Sequence, residues 1–293
     1  MIADCAVIGC GPAGMAAAVQ LARADLATIV FEAREVCGAL RNARWIENYL
    51  GFPGGIAGGD LAHILQRQLS EHGIAPIRET VDEITEHAGV LTLRTSSGPV
   101  RARRVVVATG TAPRPAGLDG EEEWTGITVF HEFRDIPDLP ARSPVLVLGG
   151  GDAAFDGALH LHARGCVPTI VMRSKTRCLP LLRERVAMYG IRCIENARPV
   201  AIRRSGGALT LHTGEHVFEA AALLVAVGRI PRIPRIRVHH RDLVLYAGDV
   251  HGRRLLRHVQ IAAADGLRAA LRTIAAAPSS LYSRHAHYQP IRQ

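Results

Sequence analysis

Cys5-Ala6-Val7-Ile8-Gly9-Cys10-Gly11-Pro12-Ala13-Gly14, followed by an alanine-rich stretch over 15–24 and then Thr28-Ile29-Val30-Phe31-Glu32, decides the fold. A short apolar run reads as a buried strand. The alanine-rich stretch favours helix. A second β-branched run closes one βαβ unit. Gly9-x-Gly11-x-x-Gly14 falls between strand and helix, where each glycine has a physical reason. The first permits a tight turn, the second lets backbone approach a pyrophosphate, and the third lets helix and strand pack closely. Glu32 ends the second strand, twenty-three positions after Gly9. A carboxylate there can accept ribose hydroxyls, so the unit predicts a dinucleotide site.

The same grammar returns in mid-chain. Pro144-Val145-Leu146-Val147-Leu148 reads as a strand, Gly149-Gly150-Gly151-Asp152-Ala153-Ala154 as the turn, 155–164 as the helix and 169–172 as the next strand. This second fingerprint, Gly149-x-Gly151-x-x-Ala154, is followed by Arg173, Lys175 and Arg177 instead of a carboxylate. Cationic groups at that place suit a ribose 2′-phosphate, which favours NADPH over NADH. The plainer alternative is that Arg173 and Arg177 are ordinary surface arginines.

Hairpins are expected over 90–94 with 100–108 and over 209–212 with 216–227. Proline-rich links follow each, at Pro113-Arg114-Pro115 and over 231–234. The last helix is expected over about 259–277, and the polar tail 278–293 is expected to be loose. The fold class is therefore α/β: two Rossmann-like three-layer dinucleotide-binding domains, the second inserted in the first. The first should comprise 1–114 plus 235–293, and the second 115–234.

Bulk composition agrees with a two-domain globular protein. The 293 residues are 48% hydrophobic and 21% charged. No apolar run reaches the length of a membrane span and no leader-like segment opens the chain, so a cytoplasmic protein is expected. The net charge of +8 is carried almost wholly by arginine, since Lys175 is the only lysine. These charges are dispersed, which argues against nucleic acid as a partner. None of the six cysteines forms a CxxC pair, and no metal-ligand spacing appears.

At this level of detail the chain resembles the low-molecular-weight thioredoxin reductases and their relatives in the pyridine nucleotide-disulfide oxidoreductase superfamily. The resemblance rests on GCGPAG at 9–14, FEAREVCGAL at 31–40, IENYLGFPGGIAGGDL at 46–61, VVVATGTAPRP at 105–115, GGGDAAFD at 149–156, VGRIPR at 227–232 and AGDV at 247–250. It implies FAD at Gly9, Gly11, Pro12, Ala13, Gly14 and Glu32, with Gly110, and with Gly248 and Asp249 on the ribityl and phosphate side. Ala39, Leu40 and Asn48 fall where the family lines the flavin. Gly149, Gly151, Asp152, Ala154, Arg173 and Arg177 fall at the NADPH site. A homodimer is the family's usual assembly.

Departures from the family pattern bear on function. Where thioredoxin reductases carry CxxC, this chain reads Thr128-Val129-Phe130-His131-Glu132-Phe133-Arg134. Dithiol exchange needs one attacking and one resolving thiol, so the family route to thioredoxin is not expected. His131 and Glu132 are candidates for acid–base work, with a solvated loop as the plainer alternative. Only nineteen positions separate Arg229 from Gly248, about half the family's usual stretch, so the first domain is expected to be trimmed. His258 stands where the family usually has glutamine and could pass a proton near the flavin. Cys10, within the first glycine turn, is either a helix-terminal thiol of lowered pKa or a small packing residue. Catalytic residues are otherwise unassigned.

The expected function is an FAD-dependent NAD(P)H oxidoreductase passing electrons from the flavin to a ferredoxin or flavodoxin, a quinone or a small disulfide. Ferredoxin–NADP reductases of the thioredoxin-reductase-like group also lack CxxC, and Tyr282, His285, His287 and Tyr288 faintly echo their aromatic tail. The alternative is a non-catalytic flavin-binding subunit or regulator.

Overall fold

The computed structural model describes residues 2–205, 208–214, 216–252 and 256–277. In chain order its elements are β1 (Ile2–Ile8), α1 (Pro12–Arg23), β2 (Thr28–Phe31), α2 (Gly58–Glu71), β3 (Val81–His87), β4 (Val90–Thr95), β5 (Gly98–Val107) and β6 (Thr111–Pro113). Then come α3 (Glu121–Trp124), β7 (Val129–Phe130), β8 (Pro144–Leu148), α4 (Asp152–Ala163), β9 (Val167–Val171), α5 (Pro180–Met188) and β10 (Arg192–Ile194). Last are β11 (Pro199–Ser205), β12 (Ala208–Thr213), β13 (Val217–Ala220), β14 (Ala222–Val225), β15 (Arg229–Pro231), β16 (Arg235–Arg237), β17 (Val244–Tyr246) and α6 (Val259–Ala275). The expected aromatic and histidine tail, with Tyr282, His285, His287 and Tyr288, lies outside the described residues.

Two compact units result. One comprises Met1–Gly38, Ala62–Thr111 and Pro231–Gln293, the other Ala39–Leu61 and Ala112–Ile230. The second is thus inserted in the first, but it also takes the early segment 39–61. The sequence pattern places that segment in the first domain, within 1–114. In the second unit it makes polar contacts with residues 90 to 138 positions away, described below.

In the first unit β2, β1, β5 and β17 run parallel, with Cys5 opposite Thr28 and Val106 opposite Val7 and Leu245. The early half of β5 continues into an antiparallel meander with β4 and β3, and β16 pairs parallel to β3 at the edge. The central strands are buried on both faces, as covered parallel strands are. Ile84, Leu91, Leu93, Val105 and Val107 fill the core beneath. Each such side chain contributes about 1.5–3 kcal/mol on burial.

Helix α1 packs on α6 through small residues: Gly14, Ala17 and Ala18 on one side, Gly266, Ala269 and Ala270 on the other, all buried. A Cβ added at Gly266 would lie 1.9 Å from the Ala13 carbonyl oxygen. No larger residue permits that approach. The nineteen-position stretch from Arg229 to Gly248, short as it is, still yields β16 and β17. The trimmed connection therefore keeps a strand on each side of the meander.

The second unit repeats the plan. A parallel sheet runs β10-β9-β8-β14-β7, with β11-β12-β13 as its antiparallel meander. Phe130, Phe155, Leu161, Ile170 and Leu224 pack one face of the parallel sheet, and Leu146, Leu148, Ile202, Leu211 and Leu223 pack the other. Both glycine fingerprints thus sit at carboxyl ends of parallel strands, the usual place for a nucleotide in an open α/β sheet.

Candidate functional site

The first turn is built around close backbone approaches. Gly9 adopts φ +98, and a Cβ there would meet the Ala108 carbonyl oxygen at 2.4 Å. A Cβ on Gly14 would lie 1.8 Å from the Gly9 carbonyl oxygen. Gly11 has nothing within 4 Å of the place a Cβ would occupy, so its backbone faces open space. Helix α1 starts at Pro12 with no side-chain cap and no acidic residue in its first turn. Its leading N–H groups and positive dipole end are left for an anion. The residues therefore fit a dinucleotide pyrophosphate.

Glu32 stands beside this turn. Its carboxylate accepts the Cys10 N–H at 2.8 Å and the Arg34 N–H at 3.0 Å. A carboxylate has about four lone-pair sites, so Glu32 can fix the turn and still accept ribose hydroxyls. Gly248, at φ +76, lies with its Cα against Ala13, where an added Cβ would come within 2.9 Å of the Ala13 side chain. That contact brings the Gly248-Asp249 pair beside Pro12 and Ala13. Gly110, at φ +60, accepts the Arg232 N–H at 3.1 Å. Gly9, Gly11, Pro12, Ala13, Gly14, Glu32, Gly110, Gly248 and Asp249 all belong to the first unit.

Ala39, Leu40 and Asn48 do not: they fall in the second unit, Leu40 buried and Asn48 exposed. The structure assembles around them a set of contacts that local sequence pattern does not show. Asn42 Nδ2 donates to Glu132 Oε2 at 2.6 Å, while its Oδ1 accepts the Arg134 N–H at 3.2 Å. The Arg44 N–H donates to Asp156 Oδ2 at 2.8 Å. Arg185 forks onto Glu47 at 2.6 and 2.7 Å. Separations of 90 to 138 positions hide these pairs from any periodicity.

His131 and Glu132 are not in a solvated loop, which corrects the plainer sequence reading. Glu132 is buried and accepts both Arg229 Nη2 and Nη1, at 2.8 and 3.1 Å. His131 Nε2 bonds Glu121 Oε1 at 2.8 Å. Glu121 also accepts the N–H groups of Ala116, Gly117 and Leu118. Burial alone would raise its pKa, but these donors outweigh it and hold the carboxyl below its ordinary value.

The second turn mirrors the first. Gly149, at φ +150, lies so close to the Ala226 carbonyl that a Cβ would meet its oxygen at 2.4 Å. Helix α4 begins at Asp152 with Gly151 before it and no side-chain cap. Ala154 is buried under the turn. The loop carrying Arg173 and Arg177 folds back onto it: the Arg177 N–H donates to the Gly150 carbonyl at 2.7 Å, and the Leu179 N–H to Asp152 Oδ1 at 2.8 Å. Arg173, Lys175 and Arg177 are exposed beside the turn, a position suited to a 2′-phosphate.

Of the remaining candidates, Cys10 is fully buried, and burial pushes its thiol far above the ordinary range; the nearby Cys37 and Glu32 act in the same direction. The lowered pKa expected of a helix-terminal thiol does not arise, because desolvation outweighs the dipole. His258 is the residue before α6 and is exposed, its carbonyl accepting the Ala262 N–H at 2.9 Å. Among the described residues no helix is long and apolar enough to cross a membrane.

Two glycine turns at carboxyl strand ends, each opening an uncapped helix, define a two-dinucleotide architecture, and comparison with known proteins agrees. The chain belongs to the pyridine nucleotide-disulphide oxidoreductase family, whose profile matches residues 3–266. It is similar to the thioredoxin reductase of Mycolicibacterium smegmatis, at 32% identity over 80% of this chain and 78% of that protein. It is similar also to NADPH-dependent thioredoxin reductase 3 of Arabidopsis thaliana, at 32% identity over 79% of this chain and 47% of that protein. The chain spans about half the length of several curated relatives it matches, 54% of that from Peptoclostridium acidaminophilum among them. Among solved structures, Lactococcus lactis thioredoxin reductase in its FR conformation superposes with a TM-score of 0.82 at 25% identity, covering 92% of this chain and 97% of that one. The T. acidophilum enzyme gives 0.83 at 23% identity, covering 93% and 98%. The fold is thus that of the thioredoxin reductases, with two Rossmann-like dinucleotide-binding domains.

Proposed function

We propose that the protein is an FAD-dependent NAD(P)H oxidoreductase that works without a redox dithiol. The observation that carries this reading is the pair of glycine turns, each leading into a helix that starts with no side-chain cap. The first turn would hold FAD: Gly11, Ala13 and Gly14 at the pyrophosphate, Glu32 at the adenosine ribose, Gly248 and Asp249 at the flavin phosphate and ribityl chain. The second would hold NADPH, with Arg173 and Arg177 on the 2′-phosphate. Bound FAD supplies acceptance of a hydride equivalent and its release as electrons. The chain's own part is to position the two cofactors and to set their electrostatic surroundings.

Thioredoxin is not the proposed acceptor. The segment 128–134 has no cysteine, and Glu132 there is tied to Arg229 and Asn42. An electron-carrier protein such as a ferredoxin or flavodoxin, a quinone or a small disulfide would take the electrons instead. A cytoplasmic homodimer is the proposed setting.

An anaerobic titration tests the reading. The flavin absorbance of the purified chain should bleach on adding NADPH and return with an acceptor from that panel. A chain that holds FAD but keeps its absorbance under excess NADPH and NADH would instead be a flavin-binding subunit without turnover. A chain that holds no FAD would refute the proposal outright.

A further inference from the structure

The outward face of the first unit's meander carries an arrangement that the two nucleotide turns do not use. Strand alternation sends Ile84, Leu91 and Leu93 into the core. It leaves Glu83 and Thr85 of β3, Thr92 and Arg94 of β4, and Arg235 and Arg237 of β16 on the other side. Register sets Glu83 beside both Arg94 and Arg235, and Thr85 beside both Thr92 and Arg237.

Three guanidinium groups therefore surround one carboxylate. Arg237 Nε lies 3.3 Å and Arg235 Nη1 4.0 Å from Glu83 Oε1, and Arg94 Nη1 lies 3.8 Å from Oε2. Glu83 is largely buried at 14% side-chain exposure, while the three arginines are 61–66% exposed. These contacts are loose beside the Arg185–Glu47 fork at 2.6 and 2.7 Å. One carboxylate neutralises one of three cations, so the cluster keeps two positive charges on largely exposed guanidinium groups. Arg94 lines a cavity of about 340 Å³ with Glu83, Thr85, Thr92, Thr95 and Pro99.

We propose that this face is an anion site, separate from both nucleotide turns, for a small multiply charged phosphate or carboxylate compound. Arg94, Arg235 and Arg237 would supply charge-assisted hydrogen bonds, and the Thr85 and Thr92 hydroxyls would complete the cradle. Glu83 spaces the three guanidinium groups and limits how tightly the anion is held. The site does not depend on the flavin reading, because every residue in it belongs to the meander and its edge strand.

Pyrophosphate is the probe. The full chain as purified, with NADP+ in excess to fill the second turn, is titrated by calorimetry at low chloride. Binding is expected, weakening as salt is added. Arg94→Gln with Arg235→Gln and Arg237→Gln should raise Kd at least tenfold, about 1.4 kcal/mol. Glu83→Gln should lower Kd, an effect that a merely structural role for the cluster would not produce. Wild-type chain that fails to bind pyrophosphate overturns the proposal. So does a triple variant that binds as well as wild type. Tighter binding of a pentaglutamate peptide than of pyrophosphate also overturns it, in favour of a protein-docking face.

Discussion

Arg229 and Glu132, ninety-seven positions apart, close a two-point fork at 2.8 and 3.1 Å within the second unit. Glu132 is buried and receives a third hydrogen bond from Asn42, so the pair ties together β15, the segment after β7 and the early segment 39–61. Arg229→Met leaves a buried carboxylate without its cation and should lower unfolding stability by about 3 kcal/mol. Replacing both, with Glu132→Leu added, should recover most of that loss. Denaturant unfolding of both variants measures this, and a single variant as stable as wild type would sink it.

Gly266 allows α6 to meet α1. Gly266→Ala forces a methyl onto the Ala13 carbonyl and should cost about 1–3 kcal/mol, as overpacking does. Because Ala13 borders the first glycine turn, FAD retention through a desalting column should fall in the same variant. Unchanged melting and retention would contradict the packing argument.

Arg173 and Arg177 decide between NADPH and NADH in the proposed reading. Each charged hydrogen bond to a phosphate contributes about 1.5–3 kcal/mol. Converting both to glutamine should therefore raise the KM for NADPH tenfold or more and leave that for NADH nearly unchanged. Equal loss with both cofactors would mean that the arginines serve the loop and not the 2′-phosphate.

His160 gives the second unit a pH dependence. It stacks on Phe133 with ring centroids 3.6 Å apart, and burial, with Arg44 and Arg164 nearby, lowers its pKa to about 4. The folded state thus binds a proton less readily than the unfolded chain, whose histidine titrates near its ordinary value of 6.5. Stability from this residue is full above about pH 6.5 and declines as pH falls toward 4. His160→Phe should keep the stacking and flatten the pH profile between those limits. A variant with wild-type slope would place the dependence elsewhere, and not on Asp156, whose pKa burial raises and whose contribution therefore has the opposite sign.

Much of the fold was legible because its signals are local. Glycine turns, β-branched runs and an alanine-rich helix act within a dozen residues, so β1, α1, β2, β8, α4 and β9 could be read directly. The hairpin over 90–108 and α6 followed for the same reason, but the return stretch of the second expected hairpin, 216–227, divides into β13, which pairs with β12, and β14, which joins the parallel sheet beside β8. The contacts of segment 39–61 were not legible, since Asn42, Arg44 and Glu47 find Glu132, Asp156 and Arg185 only after the chain has folded. Cys10 illustrates the same limit: its position at a helix start suggested a lowered pKa, while its burial, a property of the packed unit, decided the opposite.

Sequence by itself determined the two dinucleotide turns, the absence of a CxxC pair and the cationic residues after the second fingerprint. Each is a matter of residue identity at short spacing. Only the tertiary structure decided that Glu132 is a buried partner of Arg229, that Gly266 is needed for a helix crossing, and that three arginines from two separate strands gather on Glu83. Those facts depend on strand register and helix approach, which join residues distant in the chain.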